Sequence, residues 1–195
     1  MRSANPKRFR VIVGVDFSEQ AANAIYESVQ LARVMPRINM HYVHVVETPS
    51  DLDDANVIEA LNERLSRTLI RLERYVRDAL FAFGGNEAWG CDVAFHVRLG
   101  APAPALRQAA ADADADLIIV GADQVSGLRK LFHRSTAEQL VRMAHMPVVV
   151  AHQKNFRTPA RAPSEPVGTP HGGLTTHSYV DFGEPRRDSH LNGSF

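Results

Sequence analysis

Apolar runs and alternating patterns predict five strands along the chain. Runs such as Arg10–Val15 (RVIVGV) and Leu117–Val120 (LIIV) are almost without polar positions, which is typical of strands buried on both faces of a parallel sheet. Val93, Phe95 and Val97 instead alternate with polar neighbours. The predicted strands are Arg10–Val15, Ile38–Val46, Asp92–Arg98, Leu117–Val120 and Pro147–Ala151.

Apolar residues at steps of three and four predict a helix in each interval between these strands. Ser18 suits the N-cap of the first helix, and Pro36 ends it. Gly84 and Gly85 end the second and longest helix. The predicted helices lie between Ser18 and Pro36, Asp54 and Phe83, Pro104 and Asp114, and Ser135 and Ala144.

Strands that alternate with helices indicate an α/β fold, with a five-stranded parallel sheet and helices on both of its faces. The 195 residues are enough for one domain with a large core. We expect a flexible N-terminus at 1–7 and a single domain at 8–153. The segment 154–195 is rich in proline and glycine and shows no periodicity, so it is expected to be a disordered tail.

Composition excludes several classes of protein. The 22 basic residues are balanced by 22 acidic ones, so no net field favours nucleic acid or an anionic membrane. No stretch approaches the roughly 18 apolar residues of a membrane span. Cys91 is the single cysteine, which excludes an internal disulfide and suits a reducing compartment. We expect a cytoplasmic protein that binds neither nucleic acid nor membranes.

A stripe of arginines on the long helix resembles a nucleic-acid footprint. Its members are Arg64, Arg67, Arg71 and Arg74. Glu63 and Glu73 precede Arg67 and Arg77 by four residues, a spacing that allows ion pairs along a helix. We therefore interpret the stripe as a solvated face.

Other reactive side chains favour structural roles. His44 lies in the second strand and is expected to be a packed histidine, and Cys91 is expected to be buried and inert. The histidines near or in the tail are spaced without a metal-ligand pattern. They are His152, His171, His177 and His190. No metal site is expected.

Two segments after predicted strands carry candidate chemistry. Ligands of open parallel sheets gather at the carboxyl ends of the strands. Asp16 directly follows the first strand, where a carboxylate can accept hydrogen bonds from a ribose or an adenine, or can cap the next helix. Ser135-Thr136-Ala137-Glu138 fits a capping box, and the same helix N-terminus is suited to phosphate. Both readings stay open for each segment.

The order of these segments resembles the universal stress protein family over roughly Arg8 to His152. The matching pieces are VIVGVDFSEQA, VHVVE, GAPAPAL, LIIVGA, SGLRKLF, STAEQLVRMA and PVVVA. The resemblance implies a five-stranded parallel sheet of strand order 3-2-1-4-5 in a protein that is usually dimeric. Some members of the family bind ATP, and there Asp16 and Val45 match contacts to adenine and ribose.

The loop after the fourth strand departs from the pattern of the ATP-binding members, which resembles Gly-x2-Gly-x9-Gly-(Ser/Thr). The first glycine is Gly121, but Gln124 and Arg134 occupy the second and third glycine positions. The hydroxyl position keeps Ser135, followed by Thr136. Gly127 belongs to a Ser-Gly-Leu step inside the spacer and does not replace either missing glycine.

We therefore expect a non-enzymatic stress-response domain of the class that does not bind ATP. The resemblance implies a homodimer formed through the strand Pro147–Ala151, whose edge would otherwise be exposed. The alternative is an adenine-nucleotide switch or weak ATPase in which basic residues replace the lost glycines. Arginine can bind phosphate through its planar fork in that way. The basic residues of the loop are Arg129, Lys130, His133 and Arg134.

Overall fold

The computed structural model describes residues 8–35, 37–48, 55–84, 91–122, 135–152 and 176–181. Six strands and four helices are formed within these ranges. In chain order they are β1 (Phe9–Gly14), α1 (Glu19–Val34), β2 (Ile38–Val46), α2 (Ala55–Ala82), β3 (Asp92–Leu99), α3 (Pro102–Asp112), β4 (Leu117–Gly121), α4 (Thr136–Met143), β5 (Val148–Ala151) and β6 (Thr176–Asp181). Each predicted helix and strand is present, with its ends within three residues of the predicted ones.

The strands form a single sheet in the order β5-β4-β1-β2-β3-β6, with every pairing parallel. The first five strands have the expected order 3-2-1-4-5, so this part of the predicted fold is confirmed. β1 lies in the middle and pairs with β2 on one side and β4 on the other. Because the chain leaves β1 in one direction and later returns to its other side, a topological switch point lies between β1 and β4.

The sixth strand corrects the prediction for the C-terminal segment. Residues 176–181 lie inside the region expected to be disordered, yet they pair with β3 from Val93 to Arg98. Low aliphatic content argues against a self-contained core, but a strand that joins an existing sheet needs no core of its own. The rest of the predicted tail lies outside the described residues.

Helices cover both faces of the sheet and separate two apolar clusters. α1 and α2 pack on one face, where Leu65, Leu72 and Val76 are fully buried. α3 and α4 pack on the other, around Ile118 and Leu140. Strand residues of β1 alternate between these two clusters, which explains why its sequence is apolar at nearly every position.

The arginine stripe of α2 is largely a solvated face, as expected. Arg67 forms an ion pair with Glu63, and Arg77 Nη2 lies 2.8 Å from Glu73 Oε1. In the described part of the chain, no helix is long and apolar enough to cross a membrane.

A buried pair of hydroxyl groups joins α1 to the sheet. Tyr42 on β2 is 1% exposed, and its hydroxyl lies 2.9 Å from Ser28 Oγ on α1. Ser28 Oγ also donates to the Ile25 carbonyl oxygen at 2.6 Å, so the Tyr42 hydroxyl donates to Ser28. Burial raises the pKa of Tyr42, and the phenol therefore stays protonated.

We predict an asymmetric response when this pair is broken. Ser28→Ala removes the acceptor and leaves the buried Tyr42 hydroxyl without a partner, so the free energy of unfolding should fall by about 1–3 kcal/mol. Tyr42→Phe leaves Ser28 bonded to Ile25 and should cost about 1 kcal/mol. Urea unfolding of both variants and the double variant measures the difference. A larger loss from Tyr42→Phe than from Ser28→Ala would contradict this account.

Candidate functional site

A cavity of about 160 Å³ opens at the carboxyl ends of the strands, at the switch point between β1 and β4. Its walls come from the ends of three strands and from the first turns of α1, α3 and α4. The lining residues are Gly14, Val15, Asp16, Gln20, Ala21, Val43, His44, Val45, Pro102, Leu106, Val120, Gly121 and Thr136. This is the position at which open parallel sheets bind their ligands.

The structure brings four of the predicted site residues together. Asp16, Val45, Gly121 and Thr136 all line the cavity. Ser135 precedes Thr136 and forms the N-cap of α4. The remaining predicted positions, Gln124, Gly127 and Arg134, lie outside the described residues.

Asp16 is exposed at the cavity, and part of its carboxylate serves the turn into α1. Oδ1 accepts the backbone N–H of Ser18 at 3.0 Å and the Ser18 hydroxyl at 2.5 Å. Ser18 in turn is the N-cap of α1 and accepts the N–H of Ala21 at 3.2 Å. Asp16 therefore supports the start of α1 indirectly, because it holds the N-cap residue Ser18.

Phe17 holds this turn in an uncommon backbone conformation. Its φ of 63° lies in the left-handed region, which costs roughly 1 kcal/mol or more for a side chain of this kind. The ring is fixed on three sides. Its centroid lies 4.4 Å from that of His44 and 5.5 Å from that of Tyr75, with the Arg71 guanidinium 4.1 Å above it. These contacts offset the strain and fix Asp16 at the cavity mouth.

His44, which the sequence predicts to be a packed histidine, is half-buried and also lines the cavity. Its Nδ1 lies 2.7 Å from the Val15 carbonyl oxygen, and because a carbonyl only accepts, Nδ1 carries the proton. Burial lowers the pKa of His44, although the Val15 carbonyl and Asp16 favour the protonated ring. A neutral ring in this tautomer leaves Nε2 as a hydrogen-bond acceptor.

Gly121 has a structural reason to be glycine. A Cβ built at this position would lie 2.4 Å from the backbone oxygen of Gln20 and 2.6 Å from its carbonyl carbon. The end of β4 therefore touches the first turn of α1 directly, and no side chain fits between them. Close approach to a phosphate is not needed to explain this glycine.

The first turns of α1, α3 and α4 converge on the cavity and differ in how they are capped. Ser135 Oγ accepts the N–H of Glu138 at 3.0 Å, as the capping box predicts, while the Glu138 carboxylate pairs with Arg142. α3 has Ala101 as its N-cap, which forms no side-chain hydrogen bond, and begins with Pro102. The positive ends of three helix dipoles therefore meet near Asp16.

Metal and thiol chemistry find no support in the residues that the structure describes. Within them, no group of three or more His, Cys, Asp or Glu side chains is placed to hold a metal ion. Cys91 is buried, and burial raises the pKa of its thiol. It is therefore a poor nucleophile at neutral pH.

We predict that Gly121→Ala destabilises the protein more than Gly14→Ala. The first substitution places a methyl group against rigid backbone and should lower the free energy of unfolding by about 1–3 kcal/mol. At Gly14 the nearest atoms are side-chain methyls of Val120 at 3.0 Å and Leu106 at 3.1 Å, which can shift. Chemical denaturation of the two variants tests the order, and an equal or reversed effect would contradict it.

Comparison with known proteins agrees with this arrangement. The model of the universal stress protein family matches residues 7–152. A universal stress protein of Methanocaldococcus jannaschii is 22% identical over 147 residues, which cover 72% of this chain and 80% of the relative.

Two solved structures share the fold at 20% identity. UspA from Lactobacillus plantarum has a TM-score of 0.56, covering 75% of this chain and 99% of its own. A universal stress protein in complex with cAMP also has a TM-score of 0.56, covering 75% of this chain and 98% of its own. With the family match extending over most of the sheet and all four helices, the chain belongs to the universal stress protein family.

Proposed function

We propose that this chain is a non-enzymatic, regulatory universal stress protein that acts as a dimer and does not bind ATP. The observation that carries the proposal is the replacement of two phosphate-loop glycines by Gln124 and Arg134. A side chain at each position opposes the close backbone approach that a triphosphate needs.

The geometry of Gly121 supports this proposal. In the ATP-binding pattern that this loop resembles, Gly121 is the one glycine that remains. Its contact with Gln20 accounts for it without a nucleotide. The retained glycine is therefore no argument for a retained phosphate site.

The lining of the cavity supports the same proposal. Its apolar walls, among them Val45 and Leu106, suit a small planar group better than three phosphates.

A second candidate function is binding of an adenine nucleotide without a triphosphate. Asp16 and Val45 line one cavity with His44 and Thr136, and three helix N-termini supply partial positive charge. The solved relative in complex with cAMP binds a nucleotide of this kind. Among the described side chains, Asp16 is the candidate contact for the ribose or base. Among the described residues that line the cavity, Asp16 and His44 are the two side chains able to accept a proton.

Dimer formation through β5 rests on the position of that strand. β5 is the terminal strand of the sheet on one side, and Val149 at its centre is 39% exposed. Exposed apolar edge strands readily pair with another strand. A twofold pairing of β5 with its mate closes this edge in a finite assembly.

We predict that restoring the missing glycines restores ATP binding. The wild-type protein, purified without added nucleotide, should release no adenine nucleotide on denaturation and show no thermal stabilisation by ATP. The Gln124→Gly/Arg134→Gly variant should gain a saturable stabilisation, about 2.7 kcal/mol at an ATP concentration 100 times Kd. Ion-exchange chromatography and thermal-shift titration provide the two measurements.

The controls separate the two candidate functions. Asp16→Ala in the glycine-restored variant should weaken the ATP effect, while Glu47→Ala, at an exposed position after β2, should leave it unchanged. Saturable stabilisation of the wild type by AMP or cAMP, with none by ATP, would favour the second candidate. Stoichiometric ATP in the purified wild-type protein would refute the leading proposal.

We predict that a charge in β5 abolishes the dimer. Sedimentation equilibrium at micromolar concentration should give a dimeric mass for the wild type and a monomeric mass for Val149→Lys. Ile70→Lys is the matched control, since Ile70 lies on α2 and is 68% exposed. A monomeric wild type, or dissociation of both variants alike, would argue against pairing through β5.

A further inference from the structure

The strand β6 lies beyond the part of the chain that the family shares. The family match ends at residue 152, and the two solved relatives are covered almost entirely by three quarters of this chain. β6 begins at Thr176 and adds a sixth strand next to β3. It is therefore an addition to a sheet that is complete without it in these relatives.

Among the described strands, β6 lies at the end of the sheet, with a neighbouring strand on one side only. β6 meets the rest of the protein through β3 and α2. A strand held at one edge by one ladder and one helix belongs to the elements that open at low free-energy cost.

The edge that β6 covers is apolar on one face and well suited to receive a strand. Val93, Phe95 and Val97 of β3 are 2%, 1% and 0% exposed. β3 spans eight residues, and β6 pairs with six of them in unbroken parallel register. An open edge of this length and composition is a site for strand addition.

The register places an acidic residue and a basic residue at paired positions of the backbone ladder. Asp181 is paired with Arg98, whose guanidinium also lies 2.7 Å from Asp112 on α3. Neighbouring residues in a sheet interact when they share a face, and opposite charges favour the pairing. A segment that ends in an acidic residue is therefore preferred at this edge.

Chain length allows the tail to reach this edge within the same molecule. β5 and β6 are five strand spacings apart in the sheet, which is roughly 24 Å. The connection 152–175 can span up to roughly 80 Å. A tether of this length keeps the segment near β3 at an effective concentration far above that of a separate peptide.

We propose that residues 176–181 are an exchangeable edge strand and that the β3 edge is a strand-docking site. The tail of each molecule closes its own β3 edge. When that strand is displaced, the edge binds the same segment supplied by another molecule, in parallel register with the acidic residue beside Arg98.

The first test uses the full chain with two consecutive prolines in β6, Tyr179→Pro with Val180→Pro. Alternate N–H groups of a strand face its neighbour, so this pair removes one that faces β3 and disrupts the ladder. Val167→Pro with Gly168→Pro is the matched control in the preceding segment. Hydrogen exchange of β3 amides should become about tenfold faster in the β6 variant alone, with exchange in β1 and β4 unchanged.

The second test measures exchange in trans. A labelled peptide of residues 174–183 should bind the two-proline β6 variant saturably, and the wild type and control at least about tenfold more weakly, because their own tails compete. The same peptide with Asp181→Lys should bind more weakly. Unchanged β3 exchange, no saturable binding by the β6 variant, or equal binding of a scrambled peptide would overturn the proposal.

Discussion

The burial of β1 on all sides is the constraint on which the rest of the structure depends. Val11 and Val13 are 0% exposed, with β2 and β4 beside them and helices on both faces. After β1 the chain remains buried at Val15 and first becomes exposed at Asp16. The helix that follows crosses to one face, whereas the helix after β4 lies on the other. The cavity is the space left between them.

Much of the fold follows from the sequence because an element buried on two faces and an element buried on one face have different patterns of apolar residues. The apolar runs of β1 and β4 and the long periodicity of α2 needed no tertiary information, and α2 was predicted at 54–83 and found at Ala55–Ala82. β6 could not be predicted in the same way. Its sequence, THSYVD, carries one aliphatic residue, and its stability comes from a ladder with a strand far away in the chain. The composition of a segment does not indicate which distant strand it pairs with.

The site shows what a motif can and cannot reveal. Position in the fold brought Asp16, Val45, Gly121 and Thr136 together as expected. The physical reason why a particular residue type occupies a given position was harder to predict from the sequence. Gly121 resembles a phosphate-contacting glycine in the sequence, and the structure adds a separate reason for glycine, which is its close contact with the Gln20 carbonyl group. His44 resembled a core histidine because its neighbours are apolar, yet its position near the end of β2 places it at the cavity. The strained turn at Phe17 had no sequence signal, since it is maintained by two rings and a guanidinium from two other elements, β2 and α2.

The two edge strands of the sheet differ in character, and this difference bears on how many copies of the chain can assemble. A sheet whose edge strands are both open can add further molecules at either edge without limit, as in fibres. Here one terminal strand is short and valine-rich, and the other is a polar segment from the chain's own terminus. If β5 pairs with its mate as proposed, each copy uses one edge of its sheet in the dimer, and β6 already covers β3 on the other side. In such a dimer, displacement or loss of 176–181 would expose a second edge on each copy, and its first consequence would be a larger number of subunits rather than a change in the shape of any one of them.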